Sequence, residues 1–555
     1  MMRLWLSLTS LCLALSGLDA VAKTTARTVP REWILKVRPG TVRHNFLIAL
    51  PNLRFIRFFG PGNRFALVRG DLTHSDSLPK EVLYSQPNYG YQATEENSDP
   101  DVDKCWGLDN QGQTTPNGSA GLAGKDISAK AAWKLQDGSP SIVVAVVDSG
   151  ILTTHEDLSS NLWTNPGEIP NNNIDDDGNG FIDDVHGWNF VAGSNNVEDD
   201  HDHGTMCAGI IGAASDNGRG SRGVTGQVRL MAVKSLDQNG FGTTANAISA
   251  IQYAVNNGAT IINASWGGSS YDQALYDTIN WAASKDVLFV AASGNDGFNN
   301  DTNPMATYPA TFALPNVISV AAYDNRDQLA SFSNFGKTTV DLGAPGVQIY
   351  STSTGGYRYG DGTSFSAPYV TGVAALLRAN AGDLNVIQLK DRILMTSDVI
   401  SYYQKEKTKS AGRLNAYQAL ANIRPERPQL PTDWQKVAFL QSTAHPYTNS
   451  TNETYTFTSP GATHIRIHFT KFETEACCDL VVAKDSTGRL VDTYAGELGD
   501  FTSADALGDT ISLTFSSDAT MTKYGFDIDY YEVSQTRDLW WETRRDFLPP
   551  IAGLW

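Results

Sequence analysis

Four short runs constrain the fold of this chain more than any other feature. They are Ile142–Val147 (IVVAVV), Thr260–Ala264 (TIINA), Val287–Ala292 (VLFVAA) and Val317–Ala322 (VISVAA), each bounded by polar residues or Gly. Apolar runs of this length without polar alternation suit strands buried on both faces, as in a parallel sheet. Helical patterns such as 245–256 and 366–379 lie between and after them. The spacing predicts a doubly wound, mostly parallel α/β sheet over about residues 105–425. Such sheets collect their functional side chains at the carboxyl ends of the strands. Asp148-Ser149-Gly150 directly follows IVVAVV.

Two further segments supply what acyl transfer needs beside a carboxylate. His203 stands in HGTMCAG ahead of an Ala- and Ile-rich run, and Ser364 stands in GTSFSAP at the opening of a helix. Serine is a weak nucleophile until an imidazole removes its proton, and a carboxylate fixes the imidazole tautomer and stabilises the imidazolium. A serine at a helix N-terminus also lies among unpaired N–H donors suited to a developing oxyanion. Each motif alone is common; in the order Asp…His…Ser they are specific.

Together these residues resemble the subtilisin-like serine proteases, over about 320 residues. The resemblance implies a catalytic set of Asp148, His203 and Ser364, with Asn295 in ASGN (residues 292–295) donating its side-chain amide to the oxyanion. It implies a substrate strand at Ser265, Trp266 and Gly267 (within NASWGG), pairing with an extended peptide and walling the S1 pocket. Asp296 would border S1, with large apolar or aromatic P1 residues expected and basic ones the alternative. Residues 412–416 (GRLNA) resemble the close of family catalytic domains.

The chain departs from the common family pattern HGTHVAG at Met206 and Cys207. A cysteine there resembles the proteinase K and kexin branches, where it is a free thiol. Three readings stand open for Cys207: a reactive thiol, a small buried hydrophobe, or a bridge to Cys105. Cys12, Cys105, Cys207, Cys477 and Cys478 are the chain's cysteines, and the last four allow three pairings. Adjacent Cys477 and Cys478 are not expected to bond, because a vicinal bridge distorts the peptide link. Sequons stand at Asn117, Asn263, Asn300, Asn449 and Asn452, of which Asn263 ends an apolar run and is expected to be buried.

Charge is distributed unevenly. The whole chain has 42 Lys and Arg against 60 Asp and Glu, a net charge of −18, which excludes general binding to nucleic-acid phosphates. Residues 23–91 nevertheless carry eleven basic and four acidic side chains. Residues 171–203 carry nine acids and no Lys or Arg. In that stretch Asp175, Asp177 and Asn179 alternate before Gly180, and Asp183 and Asp184 follow. The spacing resembles the first half of an EF-hand loop and predicts a Ca²⁺ site, although His186 stands where a closing Glu would be. Asp157 matches a family calcium ligand, with partners expected around Asp216 and Asn217. The calcium would be structural.

Residues 1–22 read as a signal peptide: Arg3, an apolar run and AVA before Lys23. That makes the protein secreted and permits disulfides. No stretch of the chain reads as a membrane span. The basic residues 23–98 resemble an inhibitor-type propeptide of α+β fold, docking on its own enzyme and cleaved by it between Tyr91 and Asp101. The protease domain is expected at 99–425, a Pro-rich linker at 426–439 and an all-β sandwich at 440–534. The pattern CCDLVV followed by FSSDATMTKYGFDIDYYEV resembles a CUB domain, and Glu473, Asp479 and Asp518 fall where calcium-binding members carry acids. The tail 535–555 has no physical account. The expected function is a monomeric, calcium-stabilised serine endopeptidase made as a zymogen and acting on protein or peptide substrates. A catalytically silent adhesion scaffold of the same fold is the alternative.

Overall fold

The computed structural model describes residues 28–39, 53–59, 64–70, 79–89, 99–400, 406–427 and 431–536. The expected signal peptide, most of the expected cleavage segment and the tail lie outside them. So do the stretches that would hold helices in the N-terminal module. Its described residues form one antiparallel sheet, in the order Arg54–Phe59, Phe65–Arg69, Thr28–Val37 and Val82–Tyr89. Leu35, Val37, Ala66 and Val68 form the centre of its small core.

In the second unit, each of the four runs is a strand of a nine-stranded sheet. Its central order is Leu342–Pro345, Val317–Tyr323, Leu288–Ala292, Ile261–Ala264, Gly138–Asp148, Gln227–Lys234 and Gly187–Asn189, all parallel. Gly412–Arg413 extends the far edge in parallel, and Asp398–Val399 closes it antiparallel. The absence of alternation in the runs has a simple cause. Val144 and Val146 enter one core while Ala145 and Val147 enter the core on the opposite face. Phe289 and Ala291 likewise oppose Leu288 and Val290. One face is covered by helices α1 (His203–Gly212) and α4 (Thr363–Asn380), the other by α2 (Thr244–Asn256) and α3 (Gln273–Ser284). Full burial of each Val, Leu or Ile contributes about 1.5–3 kcal/mol, so a charge at Val146 would break the sheet centre. No helix among the described residues is long and apolar enough to cross a membrane.

The C-terminal region packs two antiparallel sheets. One runs Gln435–Ser442, Gly525–Ser534, His464–Glu473, Phe501–Thr502; the other runs Asn452–Thr458, Thr510–Ser516, Leu480–Asp485, Leu490–Tyr494. Strict alternation in Thr510–Ser516 turns Ile511, Leu513 and Phe515 inward, against Phe469 and Phe526.

Two expectations about cysteine and asparagine change. Cys477 and Cys478 do form a vicinal disulfide. Their Cα atoms are 3.8 Å apart, the spacing of an ordinary trans peptide. Cys105 and Cys207 are buried free thiols, so no bridge joins them. Asn300 joins Asn263 among the buried sequons, its Nδ2 donating to the Ser293 carbonyl at 2.9 Å. Asn117, Asn449 and Asn452 are exposed.

Candidate active site

Asp148 is fully buried at the end of its strand, and its Oδ1 accepts a 2.8 Å hydrogen bond from His203 Nδ1. Close approach makes this possible. A Cβ on Gly204 would lie 2.1 Å from the Gly150 carbonyl, so only Gly lets the first turn of α1 sit against the Asp148-Ser149-Gly150 loop. A second carboxylate, Asp199, organises the same turn. It accepts from Thr205 N at 2.8 Å and from the hydroxyls of Thr205 and Ser149, while Ser149 Oγ accepts from Gly204 N. Burial pulls the His203 pKa down, but the adjacent Asp148 carboxylate outweighs it, and the value lies above that of an ordinary histidine.

Ser364 is the second residue of α4, and Pro368 lies four residues on. Proline has no N–H, so the Ser364 carbonyl loses its helical partner. Ser265 Oγ donates to that carbonyl at 2.7 Å and Cys207 Sγ at 3.5 Å. The substrate-strand candidate and the histidine helix are thus tied to the backbone of the serine. Burial raises the Cys207 thiol pKa, which suits a weak S–H donor in a core. The Ser364 hydroxyl itself donates to the Ser265 carbonyl at 3.0 Å. That proton must be redirected to the imidazole before it can be taken, as is common in sites without substrate.

Asn295 Oδ1 accepts from Thr363 N at 2.9 Å and from Thr363 Oγ1 at 3.0 Å. With its carbonyl oxygen held there, the amide Nδ2 has no hydrogen-bond partner among the described residues. Ser265, Trp266, Gly267, Asn295, Asp296 and Ser364 all line one cleft of about 420 Å³. Trp266 Nε1 donates to the Val147 carbonyl at 2.8 Å, anchoring this wall beside Asp148. Phe298 and Met305 add apolar surface to the cleft, and Asp296 is its one carboxylate.

The acid-rich stretch folds around Glu168, which sequence reading missed. Glu168, Asp175 and Asp177 place carboxylate oxygens within 4.8 Å of one another. Asn179 Nδ2 donates to Asp177 and Asp184, at 3.1 and 3.0 Å. Asp184 is further tied to Asn165 and Tyr253, whereas Asp183 accepts from Asn172 N and Asn173 N and turns away from the cluster. Three clustered carboxylates form a hard-oxygen donor set that suits Ca²⁺.

Asp157 is fully buried, bonded to Asn217 Nδ2 at 2.7 Å and Ser221 N at 3.0 Å. Asp99, another residue missed, holds Asp216 N and Asn217 N of the same loop. Burial pushes the Asp157 carboxyl up to about 6, with the Asp99 charge adding to it. A cation would relieve that repulsion. In the C-terminal region Glu473 faces Lys523 instead, and Glu475 meets Asp479 and Asp518. The register explains the change: Glu473 is the last residue of its strand, paired with Gly525, and Glu475 lies beyond the strand, just before the turn.

A buried carboxylate, an imidazole and a helix-terminal serine at the carboxyl edge of a doubly wound sheet define the class of a serine hydrolase. Comparison with known proteins then places the chain. The model of the subtilase family matches residues 139–422, and the chain belongs to that family; a CUB domain model matches residues 433–530. The thermophilic serine proteinase of Bacillus sp. (strain AK1) is 37% identical over 294 residues, 52% of this chain and 64% of that protein. Thermitase of Thermoactinomyces vulgaris is 34% identical over 299 residues, 53% of this chain and 93% of thermitase. Subtilisin DY of Bacillus licheniformis is 34% identical over 269 residues, 48% of this chain and 88% of that protein. A solved structure described as proteases from Pseudoalteromonas arctica overlaps 59% of this chain and 99% of its own, with 27% identity and a TM-score of 0.46.

Proposed function

We propose that the chain is a secreted serine endopeptidase, synthesised with an N-terminal propeptide that it removes itself and stabilised by calcium. The observation that carries this reading is the convergence of Asp148, His203 and Ser364 beside an Asn295 amide whose donor end is free. In the proposed reaction His203 Nδ1–H stays bonded to Asp148, which leaves Nε2 to take the Ser364 proton. Ser364 Oγ then bonds to the scissile carbonyl carbon, and the oxyanion accepts from Asn295 Nδ2 and the Ser364 N–H. The imidazolium returns its proton to the leaving amine, giving an acyl-enzyme that water hydrolyses by the same route. Ser265 to Gly267 would hold the peptide as an added strand, and Phe298 and Met305 favour a large apolar P1 side chain. Calcium would be held by Asp157 and Asp99, and by Glu168, Asp175 and Asp177, fixing loops by charge neutralisation.

A silent scaffold has no need of an orienting carboxylate and an open amide donor together, and this disfavours the adhesion alternative. The test is maturation in a purified, protease-free preparation. Wild type should lose its N-terminal module by cleavage between Tyr91 and Asp101 and then hydrolyse peptides, while Ser364→Ala stays full length. Complete cleavage of the Ser364→Ala protein would overturn self-processing.

A further inference from the structure

We propose that the CUB domain acts on the protease as a brace for its S1 wall, through the buried ion pair of Lys407 and Asp492. Lys407 Nζ lies 2.5 Å from Asp492 Oδ1, with the two side chains only 12% and 10% exposed. Lys407 belongs to the protease and Asp492 to a strand of the CUB domain. The same ammonium lies 4.0 Å from the centre of the Phe335 ring, so its charge is shared between a carboxylate and an aromatic face. The Lys407 carbonyl also accepts from Gly336 N at 2.8 Å. One residue therefore fixes both the backbone and the ring of segment 335–336.

That segment templates the cleft wall. Phe335 N donates to the Phe298 carbonyl at 2.9 Å, and Asn300 N donates to the Phe335 carbonyl at 2.7 Å. Next to it the fully buried Asn334 accepts at Oδ1 from Asp296 N and Phe298 N, both at 2.9 Å. Asn334 N also donates to the Gly294 carbonyl, on the other side of Asn295. Asp296 and Phe298 line the cleft that holds Ser364. The path from Asp492 to the S1 wall thus runs through one ion pair, one ring and a short backbone ladder. Lys407 and Asp492 are positioning residues: neither lines the cleft, and each acts through Phe335 and Asn334.

Removing either partner leaves the other charge buried and unpaired, so that it recruits water or moves, which frees the 334–336 segment. The wall, rather than the nucleophile, then loosens. The experiment rests on the peptidase reading and compares peptide anilides differing only in P1, Phe against Ala. Active sites are titrated with a fluorophosphonate so that unfolded material does not count. In Lys407→Met and in Asp492→Asn the Phe-to-Ala ratio of kcat/KM should fall about tenfold. The double variant should fall no further, because both changes cut the same link. Lys407→Arg, which keeps the cation, should stay within threefold of wild type. A merely structural pair would lower Tm and the titratable fraction and leave the ratio alone. A ratio changed by less than threefold in both single variants overturns the proposal. If either fails to mature, Phe335→Leu, which keeps the ion pair and removes the ring that links it to the wall, is judged by the same ratio and threshold. Wild type that neither titrates nor cleaves the anilides overturns the peptidase reading instead.

Discussion

Pro368 shows how a single residue can set up a site without touching its chemistry. By lacking an N–H it frees the Ser364 carbonyl, and Ser265 and Cys207 claim it. Asn295 is the residue whose loss is most diagnostic, since its amide would act only once negative charge develops. Asn295→Ala should lower kcat by about 10²–10³, on the order of 3–4 kcal/mol of transition-state stabilisation, with KM little changed. Steady-state kinetics of the matured variant check this; an effect confined to KM would contradict it. In the proposed reaction His203 would set the pH dependence. Its imidazole must be neutral to take a proton, and the Asp148 carboxylate raises its pKa above the ordinary histidine value. The acid limb of kcat/KM should therefore fall with a midpoint above about 6.5. A pH–rate profile with its midpoint below that value would show that a different group titrates.

At the scale of elements, legibility followed burial pattern and chain locality. The four apolar runs were readable as strands because both faces of each are buried, as the opposed placement of Val144 and Ala145 demonstrates. Asp148, His203, Ser364 and Asn295 were readable because each sits in a local motif, at a strand end or a helix start. Glu168, Asp199 and Asp99 were not, because nothing in their neighbours marks them; only tertiary folding sets Glu168 beside Asp175 and Asp177, Asp199 at the first turn of α1, and Asp99 on the 216–217 loop. Glu475 was displaced from the expected Glu473 by where one strand stops. The vicinal Cys477–Cys478 bridge runs against expectation, because a bond between adjacent cysteines constrains the peptide link between them.

The loop carrying Asp157 yields its own prediction. Its carboxyl titrates near 6, because burial and Asp99 disfavour the charge. Without a cation, a carboxylate whose folded pKa is raised destabilises the fold progressively as pH rises through that pKa. The calcium-induced rise in Tm, measured against chelator-treated protein, should therefore be larger at pH 7.5 than at pH 5. In Asp157→Asn the difference should shrink. Equal calcium shifts at both pH values would contradict the assignment.

Across the whole molecule, charge is unevenly distributed. The net charge of −18 conceals an N-terminal stretch with eleven basic and four acidic side chains and an acid-rich loop whose carboxylates cluster at Glu168, Asp175 and Asp177. If that cluster holds calcium, Glu168→Gln and Asp177→Asn should each lower Tm in calcium while leaving the chelated protein nearly unchanged. Thermal melts with and without the ion distinguish this from a solvated acidic loop, for which neither change would alter the calcium response. The central claim is that Ser364 is a nucleophile activated by His203. Its most direct test is fluorophosphonate labelling of the matured protein followed by peptide mass mapping. One adduct on the peptide bearing Ser364, lost in His203→Ala protein whose N-terminal module has been removed by an added protease, is the predicted result; matured wild type that takes no label would contradict it.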